Sequence, residues 1–160
     1  MTITEAVSRA RSAVGGGCVY LLGKGGFTPS NPVPWSKQME CDCSGFVSWC
    51  LGVSRKTSNP WYVKFNGGWF ETSAIVRDAL SPFGVFTKVD RQDARPGDVL
   101  VWGDTGGQQG HVGLVTGAAT VIHCSKSNWT LTQDAIRETD MHIFDTHKAI
   151  AARCAWVEVG

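Results

Sequence analysis

The chain has 160 residues, 18% of them charged, and a formal net charge of +1, a balance that offers no bulk electrostatic basis for capturing nucleic acid or an anionic membrane. That length suits one domain over 1–160, able to bury roughly two-thirds of its unfolded surface, so disulfides are optional. No stretch approaches the roughly 20 apolar residues of a membrane span, and the N-terminus MTITEAVSRARSAVGGG lacks the continuous apolar core of a secretory signal.

Residues 2–14 place Ile3, Ala6, Val7, Ala10, Ala13 and Val14 at helical spacing, with Thr2 and Glu5 set as a capping box and Gly15 as the stop. Residues 26–40 hold three prolines and no period, which predicts a loop. From Asp42 the pattern changes. Cys43, Phe46, Val47, Cys50 and Leu51 fall at i, i+3, i+4, i+7 and i+8, with Asp42 ahead as N-cap and Gly52 behind as stop. This spacing predicts a buried helix beginning at Cys43. A further helix is expected over about 69–80, ended by Ser81-Pro82, with the aromatic-rich segment before it read as a loop region.

The second half changes period. DVLVW (98–102), HVGLVT (111–116), TVIHC (120–124) and CAWVEV (154–159) are short β-branched or aromatic runs separated by turn residues. Helices followed by a small antiparallel sheet imply an α+β domain.

The stretch CDCSGFVSWC (41–50) carries three of the six cysteines. A disulfide between Cys43 and Cys50 is excluded by the helix rise, which separates them by roughly 10 Å. A zinc site lacks the usual paired Cys-x-x-Cys spacing, and Cys50 sits on the apolar face, where free cysteine behaves as a small hydrophobe. The six cysteines read mostly as reduced core or site thiols. A zinc site joining Cys41 and Cys43 to His111, His123 or Cys124 stays as an alternative, and the favoured reading is one reactive sulfur. Cys43 stands at a helix N-terminus, where unpaired N–H groups and the dipole favour a thiolate.

Such a sulfur needs an imidazole beside it. His111 opens a strand after the glycine-rich loop GDTGGQQG, and His123 lies twelve residues on, in the next strand. Two strands joined by the short turn GAA are expected as antiparallel neighbours, which lets one imidazole orient the other. Standing alone, each would read as an ordinary hydrogen-bonded strand histidine. His142 and His147 fall in a polar stretch and read as surface residues. Asp98 in PGDV reads as a turn residue.

The ordered blocks CDCSGFV, RPGDVLVW, GHVGLVTG and VIHCS resemble the NlpC/P60 family of papain-like cysteine peptidases over about 40–125. The resemblance implies a papain-like fold with N-terminal helices packed on a small antiparallel sheet. It implies Cys43 as nucleophile, His111 as general base and acid, and His123 as the orienting third member. Tyr20 is similar to a tyrosine that family members set beside the nucleophile, and Asp42 and Ser44 hold positions associated with substrate contact. A core role for Tyr20 and an N-cap role for Asp42 compete with these. The family's Pro-Arg pair after the nucleophile helix is missing, since the chain reads GVSRKTS, and Arg55 is the arginine that could inherit that place. Trp61, Tyr62, Phe65, Trp69 and Phe70 would pack a core or wall a groove.

The resulting expectation is a monomeric thiol amidase, needing no cofactor or metal, that hydrolyses a peptidoglycan stem-peptide bond, by the family's preference the one between the D-glutamate side chain and the diamino acid. With no export signal in view, delivery to the wall as a phage lysin or tail component, or as an effector, is expected. The rivals are an amidase acting on another peptide or protein, and a phage structural module of the same fold without turnover.

Overall fold

The computed structural model describes residues 1–159. Helix α1 (Ile3–Ser12) starts as the capping box requires: the Thr2 hydroxyl accepts the Glu5 N–H at 3.1 Å, and Glu5 Oε2 accepts the Thr2 N–H at 2.7 Å. It buries Ala6, Val7 and Ala10 and stops two residues short of the expected end, capped at Ala13. Two short parallel strands, β1 (Val19–Tyr20) and β2 (Glu40–Cys41), bracket the proline-rich loop. Helix α2 (Cys43–Cys50) follows with all eight residues buried.

Helix α3 (Pro60–Asn66) occupies part of the segment read as loop. Its ends explain it. Asn59 caps the Trp61 N–H, Pro60 stands in the first turn, and Gly67 closes the helix at φ 73°. Helix α4 (Thr72–Ala79) is shorter than the expected 69–80, because Glu71 is its N-cap, taking the Ser73 and Ala74 N–H groups at 2.9 and 2.7 Å.

The sheet then assembles from β3 (Phe86–Val89), β4 (Val99–Trp102), β5 (His111–Val115), β6 (Thr120–Cys124), β7 (Ile136–Asp140) and β8 (Ile150–Cys154), in the order β3-β8-β4-β5-β6-β7 with every pairing antiparallel. A single-turn 3-10 helix covers Arg91–Asp93, and a longer one, Met141–His147, joins β7 to β8. Helix α5 (Lys126–Thr132), capped by Ser125, links β6 to β7. The expected last strand over 154–159 is displaced: β8 ends at Cys154, and Trp156 packs against the core instead.

The main core lies between α2 and one face of the sheet, where Phe46, Val47 and Cys50 meet Val99, Val101, Val112, Leu114 and Ile122. The alternation of strands sends the other side chains to the opposite face, where Leu100, Val115, Val121, Ala151 and Phe144 form a smaller cluster beneath the longer 3-10 helix. All six cysteines are free and buried. Among the described residues no helix is long and apolar enough to cross a membrane.

Candidate active site

Cys43 is the first residue of α2 and is 4% exposed. The helix begins there because Asp42 caps it, Oδ1 accepting the Gly45 N–H at 2.9 Å. Asp42 itself is fully buried. Its oxygens also take the Gly23 N–H at 2.6 Å and a bidentate fork from Arg55, Nη1 to Oδ1 at 2.5 Å and Nη2 to Oδ2 at 2.8 Å. Arg55 is 2% exposed, donates also to the Lys24 carbonyl, and lies 4.6 Å from the centre of the Trp69 ring. The carboxylate of Asp42 thus ties the helix start to two loops. Gly45 has no room for a side chain, since a Cβ there would come 2.7 Å from Arg55 Nη1. The Cys43 N–H donates to no protein atom among the described residues.

Burial, with the Asp42 charge behind it, pushes the Cys43 thiol up to about 12, against the pull of the Val112 and Ser44 backbone and Arg55. Burial thus works against the thiolate that the helix start favours. The influence of Val112 sets that sulfur against β5 at the residue after His111.

His111 heads β5 opposite Trp102. Its Nε2 lies 2.8 Å from Nδ1 of His123, and Nε2 of His123 lies 2.9 Å from the Thr139 hydroxyl. The two rings stand edge to face with centroids 5.0 Å apart. Phe144 stacks on His111 at 5.4 Å and 19° and meets His123 edge-on. Gly113 makes this packing possible: a Cβ there would lie 3.0 Å from Phe144 Cζ, 3.1 Å from His123 Cβ and 2.6 Å from Val121 Cγ2. No hydrogen bond joins Cys43 to either histidine in this resting geometry.

Burial also holds His111 down to about 3, helped by the neighbouring charges of His123 and His147, and holds His123 down to about 4. Both imidazoles are therefore neutral at pH 7. Because these values are depressed on folding, the stability they contribute is fully present above the ordinary value of 6.5 and is lost as pH falls towards 3–4. For His123 alone the loss is on the order of 3 kcal/mol. The urea midpoint of the wild type should drop between pH 6.5 and 4, and His123→Gln should flatten that drop; parallel curves for the two proteins would refute the assignment.

Two hollows meet here. One, about 510 Å³, is lined by Asp42, Cys43, Ser44, Arg55, Trp69 and Glu71 among others; the second is lined by Tyr20, Trp102, His111, His123, Lys126 and His147, and the two share Gln109 and Gly110. Tyr20 lies beside Cys41 in the β1–β2 pair, its hydroxyl making no protein hydrogen bond among the described residues, and burial together with Cys43 and Asp42 raises its phenol. Ser44 is buried, with only a long 3.4 Å contact to Asp42 Oδ1. His147 is exposed, as read from the sequence, and from the surface it stacks on Trp102 at 4.3 Å and 16° and lines the second hollow. The other, His142, is on the surface, paired with Asp145 at 2.8 Å. Asp98 accepts the Arg95 N–H in a turn and a fork from Arg153.

Of these aromatics, Trp69 lines the first hollow, while Tyr62 and Phe70 are core residues and Tyr62 donates to Asp78 at 2.7 Å. Cys41, Cys18 and Cys124 are buried together behind the site, with burial raising Cys41 and Cys124. No group of three or more His, Cys, Asp or Glu arranged to hold a metal occurs among the described residues. Thr139 and Phe144 are the contributors that sequence reasoning left without a role, and Arg55, considered only for the family's arginine place, is the partner of Asp42.

The six-stranded antiparallel sheet with helices packed ahead of it is the α+β fold of papain-like hydrolases. Residues 32–128 match the CHAP domain, and the chain belongs to that family of amidase-type hydrolases. The family is thus CHAP, and the likeness to NlpC/P60 is one of fold. The structure is similar to that of NlpC1 from Trichomonas vaginalis (TM-score 0.54, 19% identity, 96% of this chain and 44% of that one) and to NlpC2 from the same organism (0.54, 17%, 98% and 48%). It is also similar to the NlpC/p60 domain of the peptidoglycan hydrolase SagA (0.51, 20%, 96% and 98%). The chain spans less than half the length of the two Trichomonas structures. No curated protein matches it.

Proposed function

We propose that the chain is a single-domain cysteine amidase that cuts peptidoglycan stem peptides, with Cys43 as nucleophile, His111 as base and acid, and His123 as the orienting group. The observation that carries this reading is the 2.8 Å bond between His111 Nε2, at the head of β5, and His123 Nδ1, on β6, with the Cys43 sulfur beside the backbone of Val112, the residue after His111. Membership of the CHAP family supports the substrate class.

Since His111 Nε2 is engaged by His123, Nδ1 is the nitrogen left to serve the sulfur. As Cys43 attacks the substrate carbonyl, its proton passes to Nδ1 and a carbon–sulfur bond forms. The oxyanion is met by the Cys43 N–H, unused at the helix start. The carbon–nitrogen bond then breaks, and the leaving amine takes the proton from Nδ1. Water, deprotonated by the same nitrogen, cleaves the thioester and restores the thiol. Tyr20 and Ser44 line the hollows where the bound peptide would lie, whereas Asp42 acts by holding Cys43 in place.

The bond proposed is that between the D-glutamate side-chain carboxyl and the diamino acid, and the setting proposed is the bacterial wall, reached by a phage or secreted route. Digesting defined muropeptides and weighing the products tests both. Products with a new D-glutamate side-chain carboxyl and a freed diamino-acid amine are expected. Cleavage elsewhere in the stem would overturn the bond assignment, and turnover of other amides with none of muropeptides would overturn the substrate class.

A further inference from the structure

We infer that Thr139 is a positioning residue that fixes the tautomer of the histidine pair, accepting a hydrogen bond from His123 Nε2 so that His111 presents an unprotonated Nδ1 to Cys43. The inference rests on the reading of Cys43, His111 and His123 given above.

The hydrogen bonds run in one line. His111 Nε2 and His123 Nδ1 are 2.8 Å apart, and His123 Nε2 and Thr139 Oγ1 are 2.9 Å apart. A neutral imidazole has one N–H and one bare nitrogen, so the direction of the first bond sets both rings. Suppose His123 Nδ1 donated. His111 would then have to carry its proton on Nδ1, and that nitrogen could not receive the thiol proton. A working base requires the opposite sense: His111 Nε2–H donates to His123 Nδ1, and His123 Nε2–H needs an acceptor. Thr139 Oγ1 is that acceptor, with its own proton directed towards the Asp140 carbonyl at 3.5 Å. Without it, the Nε2–H of a ring that is only 3% exposed would stand unpaired.

The fold explains why Thr139 is the residue available. On β7 it is two positions past Arg137, the register partner of His123, which makes it a diagonal neighbour on the same face. Strand β7 thereby contributes to the site without reaching either hollow.

Thr139→Val keeps the β-branched shape and removes the acceptor, while Thr139→Ser restores it. The valine variant should lower kcat roughly tenfold or more at unchanged KM, short of the about 10⁴ that a wrong tautomer costs when an orienting group itself is lost. The serine variant should recover most of that rate. In ¹⁵N spectra of the resting wild type at pH 7, His111 should show a bare Nδ1, and in Thr139→Val that signature should give way to a mixture. A wild-type His111 protonated on Nδ1, or a valine variant of full kcat, overturns the inference. So does a serine variant as slow as the valine one at equal thermal stability. If instead His111→Ala retains full activity, the reading of the site itself has failed, which separates the two outcomes.

Discussion

Cys43→Ala should abolish hydrolysis of defined muropeptides, lowering kcat by more than about a thousandfold with little change in substrate affinity or melting temperature. The side chain is small and sits at a helix start that Asp42 and Arg55 hold independently of it. Wild-type turnover by this variant would sink the proposal that Cys43 is the nucleophile. A second measurement concerns the state of the sulfur. With the thiol pushed up to about 12 and His111 held near 3 by burial, the resting pair is thiol and neutral imidazole, and the proton moves only as attack proceeds. Alkylation by iodoacetamide should therefore be slow at pH 7 and rise about tenfold per pH unit up to pH 10, following the thiolate fraction. A fast rate that stays flat from pH 5 to 9 would show a preformed ion pair and refute the neutral one.

What the sequence disclosed of this site, and what it hid, follows from the range of the interactions. Cys43 at a helix start was legible because capping and apolar spacing are local. Asp42, Phe46, Val47 and Cys50 together leave little choice of helix position or face. His111 and His123 were legible as a pair because a three-residue turn between β-branched runs forces a hairpin. The burial that opposes ionisation of the sulfur was not legible, since the helix start is a local feature and the burial comes from the packed sheet.

Strand β7 went unread because its residues, IRETD, are largely charged and exposed, and pairing with β6 alone holds them extended. Thr139 went with it. His147 lay in a polar stretch anchored by Phe144 and Met141, and its stacking on Trp102 arises from the return of the chain between β7 and β8. Arg55 had a visible charge but no visible partner. Thirteen residues separate it from Asp42, and only the folded loop brings them together.

Arg55→Met should be the most damaging change to stability among the site residues. It leaves the Asp42 carboxylate buried with its strongest partner gone, at a cost of about 3–5 kcal/mol. For a domain of this size that corresponds to a fall in melting temperature of roughly 10 °C or more. Arg55→Lys should recover only part of the loss, since an ammonium cannot reproduce the two-pronged contact or the packing on Trp69. The double change Asp42→Asn with Arg55→Met removes both charges, and its cost should be smaller than the sum of the two single changes, which isolates the coupling between the pair. Strict additivity, or a shift within 2 °C for Arg55→Met, would show that the pair does not hold the helix start. The same variants link stability to turnover. Asp42 reaches Gly45, Gly23 and Arg55 at once, so any loosening of the pair moves the first turn of α2 and with it Cys43. In the lysine variant kcat should therefore fall at temperatures where the protein is still folded, because the sulfur and its backbone N–H lose their fixed position before the core opens.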